Sequence, residues 1–187
     1  MIRKQGGLTL IEMIVVLAAL AILAALLIPA VISVPEQAEE AKAGNDARAI
    51  GEAVHNFYKD LAKWPVYSSF PSTPDLERLF SAGSVPAVSG APGTAEWITA
   101  SPSADLDNHL QNNSLYPTTG EFTWRGPYLT ETPTDPWGNQ FIMNVRWLQP
   151  GQSTNVVWVL SAGPDGIIET TFAQPSLAGD DIGYRLR

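Results

Sequence analysis

The chain has no cysteine among its 187 residues. No disulfide can brace it in an oxidising compartment, and thiolate metal sites and thiol catalysis are excluded. Histidine is almost as scarce. The two residues, His55 and His109, support no Ser-His-acid arrangement by their spacing, and neither a phosphate loop nor a zinc motif appears. A protein that is not an enzyme is expected. Basic clusters are missing too: of 19 acidic and 11 basic residues, all but Glu12, Arg3 and Lys4 lie from residue 36 onward, which makes that stretch strongly acidic. Nucleic-acid binding draws most of its affinity from Lys and Arg at phosphates, so no nucleic-acid partner is expected. Turn formers, by contrast, abound, with 15 Gly and 15 Pro, and they predict a loop-rich globular part.

What dominates instead is one apolar run, residues 8–34, read LTLIEMIVVLAALAILAALLIPAVISV, with Glu12 as its single carboxylate. About twenty apolar residues cross the hydrocarbon core of a bilayer as a helix. Residues 8–34 are therefore predicted to be a single transmembrane helix. The preceding residues, MIRKQGG, carry two basic side chains and no acid, so the positive-inside bias keeps them cytoplasmic and sends the remainder across the membrane. A cleaved secretory signal is the competing explanation. Its apolar core spans about 7 to 15 residues and its small-residue cleavage site follows that core, whereas Gly6 and Gly7 precede it here. Glu12 stands out, because an ionisable group inside a membrane helix costs about 3 kcal/mol and by default marks function. At the headgroup boundary it would cost little. Pro29 removes one backbone hydrogen bond and predicts a bend, or is simply tolerated as prolines in membrane helices are.

Past Pro35, the residues Ala43, Ala47, Ile50, Val54, Phe57 and Leu61 recur at alternating steps of four and three. That period predicts an amphipathic helix over residues 35–64 with one stripe facing a core. The helix should stop at Trp64-Pro65. Residues 65–187 then form one globular head. In its middle, residues 65–128, Thr73-Pro74-Asp75 reads as a helix start running to about Ala82, residues 83–93 read as loop, and Ser101-Pro102 reads as the opening of a second short helix to about Asn112. Residues 129–187 hold a hairpin and a C-terminal loop. Within them, residues 140–148 and 155–161 are strand-like and predict an antiparallel pair, with Val156, Trp158 and Leu160 on one face and Val157 and Val159 on the other. The fold class is α+β: a long N-terminal helix, half transmembrane and half amphipathic, packed on a small antiparallel sheet. The tryptophans Trp124, Trp137, Trp147 and Trp158 are expected in a core or an interface.

The segment KQGGLTLIEM resembles the type IV pilin and pseudopilin family. The resemblance implies that a prepilin peptidase cuts between Gly7 and Leu8 and methylates the new amine of Leu8. It also implies that Glu12 pairs with the N-terminal amine of a neighbouring subunit as a filament assembles. Leu8 stands where the family most often has Phe. Four later blocks, residues 126–129 (GPYL), 135–139 (DPWGN), 161–166 (SAGPDG) and 180–183 (DDIG), look like the head of the major, G-type pseudopilin of type II secretion systems. The middle is longer than that family usually carries.

The resemblance implies a structural subunit of the bacterial inner membrane, with a cytoplasmic N-terminus and a periplasmic head. Its partners would be copies of itself, minor pseudopilins, the membrane, an inner-membrane assembly platform and a cytoplasmic assembly ATPase, in a filament that drives protein export. A type IV pilin for adhesion or motility, and a minor pseudopilin, are the alternatives.

The C-terminal loop holds Asp165, Glu169, Asp180 and Asp181 among glycines that let the backbone turn its carbonyls inward. By spacing alone this is not the EF-hand pattern, and a solvated loop is the commoner meaning of such acids. The resemblance implies a calcium ion held by Asp165, Asp180 and the carbonyls of Ala162 and Ile167, with Asp181 as a substitute ligand.

Overall fold

A computed structural model of the chain describes residues 9–152 and 154–187, with the side chains of residues 26–34 outside that description. It divides into two compact units, Met1–Glu39 and Glu40–Arg187. Helix α1, Leu10–Leu61, supplies the described part of the first unit and enters the second. The expected membrane segment, residues 8–34, lies partly outside the described residues. Among those described, no helix is long and apolar enough to cross a membrane. Pro29 falls within the bounds of α1.

In the second unit the expected stripe is realised. Ala43, Ala47, Ile50, Val54 and Phe57 have no exposed surface, and Leu61 is 3% exposed. The helix ends at Leu61, three residues short of the expected stop, where Ala62 takes φ 51° and its N–H donates to the Tyr58 carbonyl at 2.7 Å.

The strands are β1 (Arg78–Phe80), β2 (Ala87–Val88), β3 (Ser103–Asp105), β4 (Ile142–Met143), β5 (Trp158–Ser161), β6 (Ile167–Ile168) and β7 (Ile182–Arg185). Five of them form a sheet in the order β3-β1-β4-β5-β7, and β2 pairs with β6 separately. The expected hairpin is present as β4 against β5, with Ile142 opposite Leu160 and Met143 opposite Val159. The five-stranded sheet is nonetheless mixed rather than antiparallel throughout, since β1–β3 is a parallel pair, and the separate β2–β6 pair is parallel too. The first hairpin arm is also shorter than expected, because Val145–Leu148 coils into a 3-10 helix.

Side chains alternate across this sheet and divide the core in two. Val157, Val159 and Met143 join the α1 stripe, while Val156, Trp158, Leu160 and Ile142 pack with Trp97, Ile168 and Phe172 on the other side. The tryptophans follow the expectation in part: Trp158 is buried, Trp124 and Trp147 pack against the core, and Trp137 is half-buried in its turn.

The middle region corrects three expectations, the first being that residues 83–93, expected as loop, contain β2, which pairs with β6. Residues 73–82 are not a helix: Arg78–Phe80 is β1, held between β3 and β4. The local signals at Thr73-Pro74-Asp75 are overridden because the N–H groups of Asp75 and Leu76 both donate to the Val66 carbonyl, and the Asp75 carboxylate accepts from the backbone N–H of Ser68 at 2.8 Å. Residues 101–112 likewise split into β3 and a single helical turn, α3, Asp107–Leu110. The other short helix, α2, spans Glu96–Thr99. Leu106, Leu110 and Tyr116 enter the core beside α1, so the middle builds core as well as surface.

Candidate metal site and the carboxylate at the helix start

Gly7 and Leu8, the expected cleavage site, lie outside the described residues. Glu12 is described, and its surroundings are specific. Thr9 precedes the first helical residue, and its N–H and its Oγ1 both donate to Glu12 Oε2 at 2.7 Å. In return Glu12 N–H faces Thr9 Oγ1 at 3.4 Å. This is a capping box, which satisfies backbone donors that a helix start otherwise leaves unpaired. The carboxylate therefore has donors within its own chain.

The C-terminal acids sit on two segments that the sheet brings together. β5 ends at Ser161, buried Ala162 follows, and Gly163 turns the chain with φ 67°. A side chain on Gly163 would strike the Asp180 backbone, so only glycine lets the two segments meet. Asp165 Oδ1 accepts from Ile167 N–H at 2.7 Å and closes the turn. The Asp165 N–H donates to Asp180 Oδ2 at 3.3 Å, and Asp180 N–H donates to Glu169 Oε2 at 3.3 Å. Gly179 has φ 61°, and a side chain there would occupy the place of the Glu169 carboxylate.

The outcome is a group of three carboxylates, Asp165, Glu169 and Asp180, with one oxygen of each within 4.8 Å of the others. Asp180 Oδ1 is buried and has no hydrogen-bond donor among the described residues. Three carboxylates so close, one with an unsatisfied oxygen, form an all-oxygen set that suits a hard cation.

Asp181 is not in the group. It is 6% exposed, and its Oδ2 accepts from the N–H groups of Glu169 at 3.0 Å and Thr170 at 2.6 Å. Burial pushes its pKa above the usual carboxylate range, against the hydrogen bonds from Thr170 and Glu169. Its Oδ2 braces the loop, while its Oδ1 is buried with no hydrogen-bond partner among the described residues. The carbonyls of Gly166 and Ile168 accept from Ala87 and Ser89, so the intervening Ile167 carbonyl faces the other edge of its strand. Glu169 is the member that the ligand set implied by the resemblance omits. It was visible as an acid in the right loop, but its approach depends on the left-handed turn at Gly179.

Neither histidine sits in an open, reactive setting. His55 is half-buried on α1 with Nδ1 3.0 Å from the Gly51 carbonyl. His109 has no exposed surface, and its Nδ1 shares a 2.6 Å hydrogen bond with the Tyr116 hydroxyl.

Residues 103–176 match the family described as type II secretion system (T2SS), protein G. Residues 2–28 match the prokaryotic N-terminal methylation motif. The chain is 29% identical over 181 residues to the type II secretion system core protein G of Klebsiella pneumoniae, covering 97% of this chain and 94% of that one. It is 27% identical over 167 residues to the core protein G of Escherichia coli (strain K12), covering 89% and 87%. No solved structure matches it significantly. By these matches the chain is similar to the major, G-type pseudopilin of type II secretion systems, with a prokaryotic N-terminal methylation motif over residues 2–28.

Proposed function

We propose that the chain is a structural subunit of a type II secretion pseudopilus, anchored in the bacterial inner membrane by the start of α1 until it joins a helical filament of its own copies. One observation carries this reading. Between Leu10 and Leu23, ten large apolar side chains are each at least 50% exposed. So continuous an apolar surface requires a cover. Lipid supplies it for the single subunit, and neighbouring helices supply it in the filament.

In this reading residues 1–7 stay cytoplasmic, a prepilin peptidase cleaves after Gly7 and methylates the Leu8 amine, and the head lies in the periplasm. Glu12, held by Thr9 in the single chain, pairs with the Leu8 amine of a neighbour. That exchange replaces neutral donors with a cationic one, which adds direct charge attraction where water is excluded. Minor pseudopilins, the inner-membrane assembly platform and a cytoplasmic ATPase complete the assembly, and the growing rod drives export.

Asp165, Glu169 and Asp180 hold one calcium ion, with the carbonyls of Ala162 and Ile167 as further ligands. Bound there, the ion supplies a cross-link between the turn after β5 and the segment before β7 that a cysteine-free head otherwise lacks.

The test is Glu12→Ala. The variant should fractionate with the membrane as the parent does, yet yield no sheared filaments by electron microscopy. Filaments of normal number and length would refute the pairing.

A further inference from the structure

At the C-terminal end of α1 the head carries a groove of about 320 Å³, lined by Tyr58, Lys63, Trp64, Tyr67, Gln149 and Arg187 among others. One wall is preformed, because Tyr58 and Trp64 stack at 4.1 Å with 21° between their planes. The rim is cationic. The ion pairs among the described residues involve Arg48 and Arg146, so neither Lys63 nor the Arg187 side chain has a carboxylate partner there. The Arg187 main-chain oxygen is engaged by Val157 N–H and Arg185 Nε. A cationic recess is unusual on a head whose net charge is so strongly negative, and an anionic partner would fit it.

The same chain carries such a partner. Glu36, Glu39 and Glu40 are exposed on α1, and steps of three and four put them on one helix face. No ion pair among the described residues includes them. Like charges at that spacing destabilise a helix, and a cation brought by another molecule relieves the repulsion. A groove and a convex helix face of opposite charge are also complementary in shape.

We propose that this groove receives the acidic face of α1 from a second copy, with Lys63 and Arg187 meeting Glu36, Glu39 and Glu40. Different patches meeting on identical chains make a heterologous contact, which propagates as an open helical filament rather than closing as a dimer. The inference rests on the filament reading and adds a contact and an offset to it. From Glu40 to Leu61 the helix axis rises about 32 Å, so copies joined this way are displaced along it by about that distance.

The absence of cysteine gives a background free of competing thiols. The full chain carrying Glu39→Cys and Lys63→Cys together is assembled in bacteria with a type II secretion system, and sheared filaments are oxidised. A ladder of covalent multimers is expected from the double variant, and none from either single variant. Filaments without a ladder would overturn the contact while leaving the filament reading intact. Dimers from Lys63→Cys alone would overturn it too, because they mark an isologous contact. Absence of filaments from the parent chain would remove both readings. Should the double variant fail to assemble, charge reversal decides: Lys63→Glu should lower filament yield about tenfold, and adding Glu39→Lys should restore it. An unchanged yield in Lys63→Glu, or no recovery in the pair, rejects the proposal.

Discussion

His109 shows how one buried side chain sets a pH response. It lies in the core beside α1 with Leu110, Tyr116 and Phe57, and its Nε2 has no partner among the described residues. Burial lowers its pKa from 6.5 to about 4. The unfolded chain therefore binds the proton more readily than the folded one. The stability that neutral His109 provides is fully present above pH 6.5 and is lost as pH falls toward 4. Between pH 7 and pH 5 the loss is about 2 kcal/mol. Denaturant titration of the detergent-solubilised protein at both pH values checks this against His109→Phe. The variant should lose this component of the pH dependence, and equal slopes in the two proteins would contradict it. Gly51 acts at the same scale by having no side chain. It lies on the buried face of α1, and a Cβ there would fall within 2.5 Å of Tyr184 ring atoms on β7. Gly51→Val should destabilise the head by about 1–3 kcal/mol through overpacking. A co-substitution Tyr184→Ala should recover part of that loss.

Among the helices and strands, local patterns succeeded where burial followed a fixed period. The stripe from Ala43 to Leu61 and the alternation from Val156 to Leu160 each report one face packed on a core, and both are legible without tertiary information. Phe57 is the widest member of the stripe, with edge contacts to Tyr116 at 4.8 Å and Tyr128 at 5.7 Å. Phe57→Ala should cost about 3–5 kcal/mol, seen as a lowered urea midpoint with an unchanged slope. Patterns failed where the segment was short. Arg78–Phe80 and Ser103–Asp105 have three residues each, too few to show a period. They are strands because neighbouring strands accept and donate their hydrogen bonds. Thr73-Pro74-Asp75 had sound helix-start chemistry, yet Asp75 is used by Ser68 instead.

For the whole molecule, the proposed calcium ion at Asp165, Glu169 and Asp180 would make stability depend on ion concentration. At a hundredfold excess over the dissociation constant the gain is about 2.7 kcal/mol, which for a head of this size raises the melting temperature by about 5–10 °C. A chelator should abolish that rise. The Asp165→Ala, Asp180→Ala double variant should melt at the chelated value with or without calcium. Thermal scans of solubilised protein decide it, and a melt indifferent to calcium would remove the ion from the proposal.

The apolar run, the basic residues before it, Glu12 at its start, the amphipathic stripe and the acidic C-terminal loop could all be read from the chain alone, because each is a property of neighbouring residues and their period. Folding in three dimensions was needed to turn Asp181 inward, to set Glu169 in its place beside Asp165 and Asp180, and to make strands of the middle region. Those outcomes depend on contacts between segments far apart in the chain. Left-handed glycines such as Gly163 and Gly179 and hydrogen bonds across the sheet fix them, and neither is written in a local pattern of side chains.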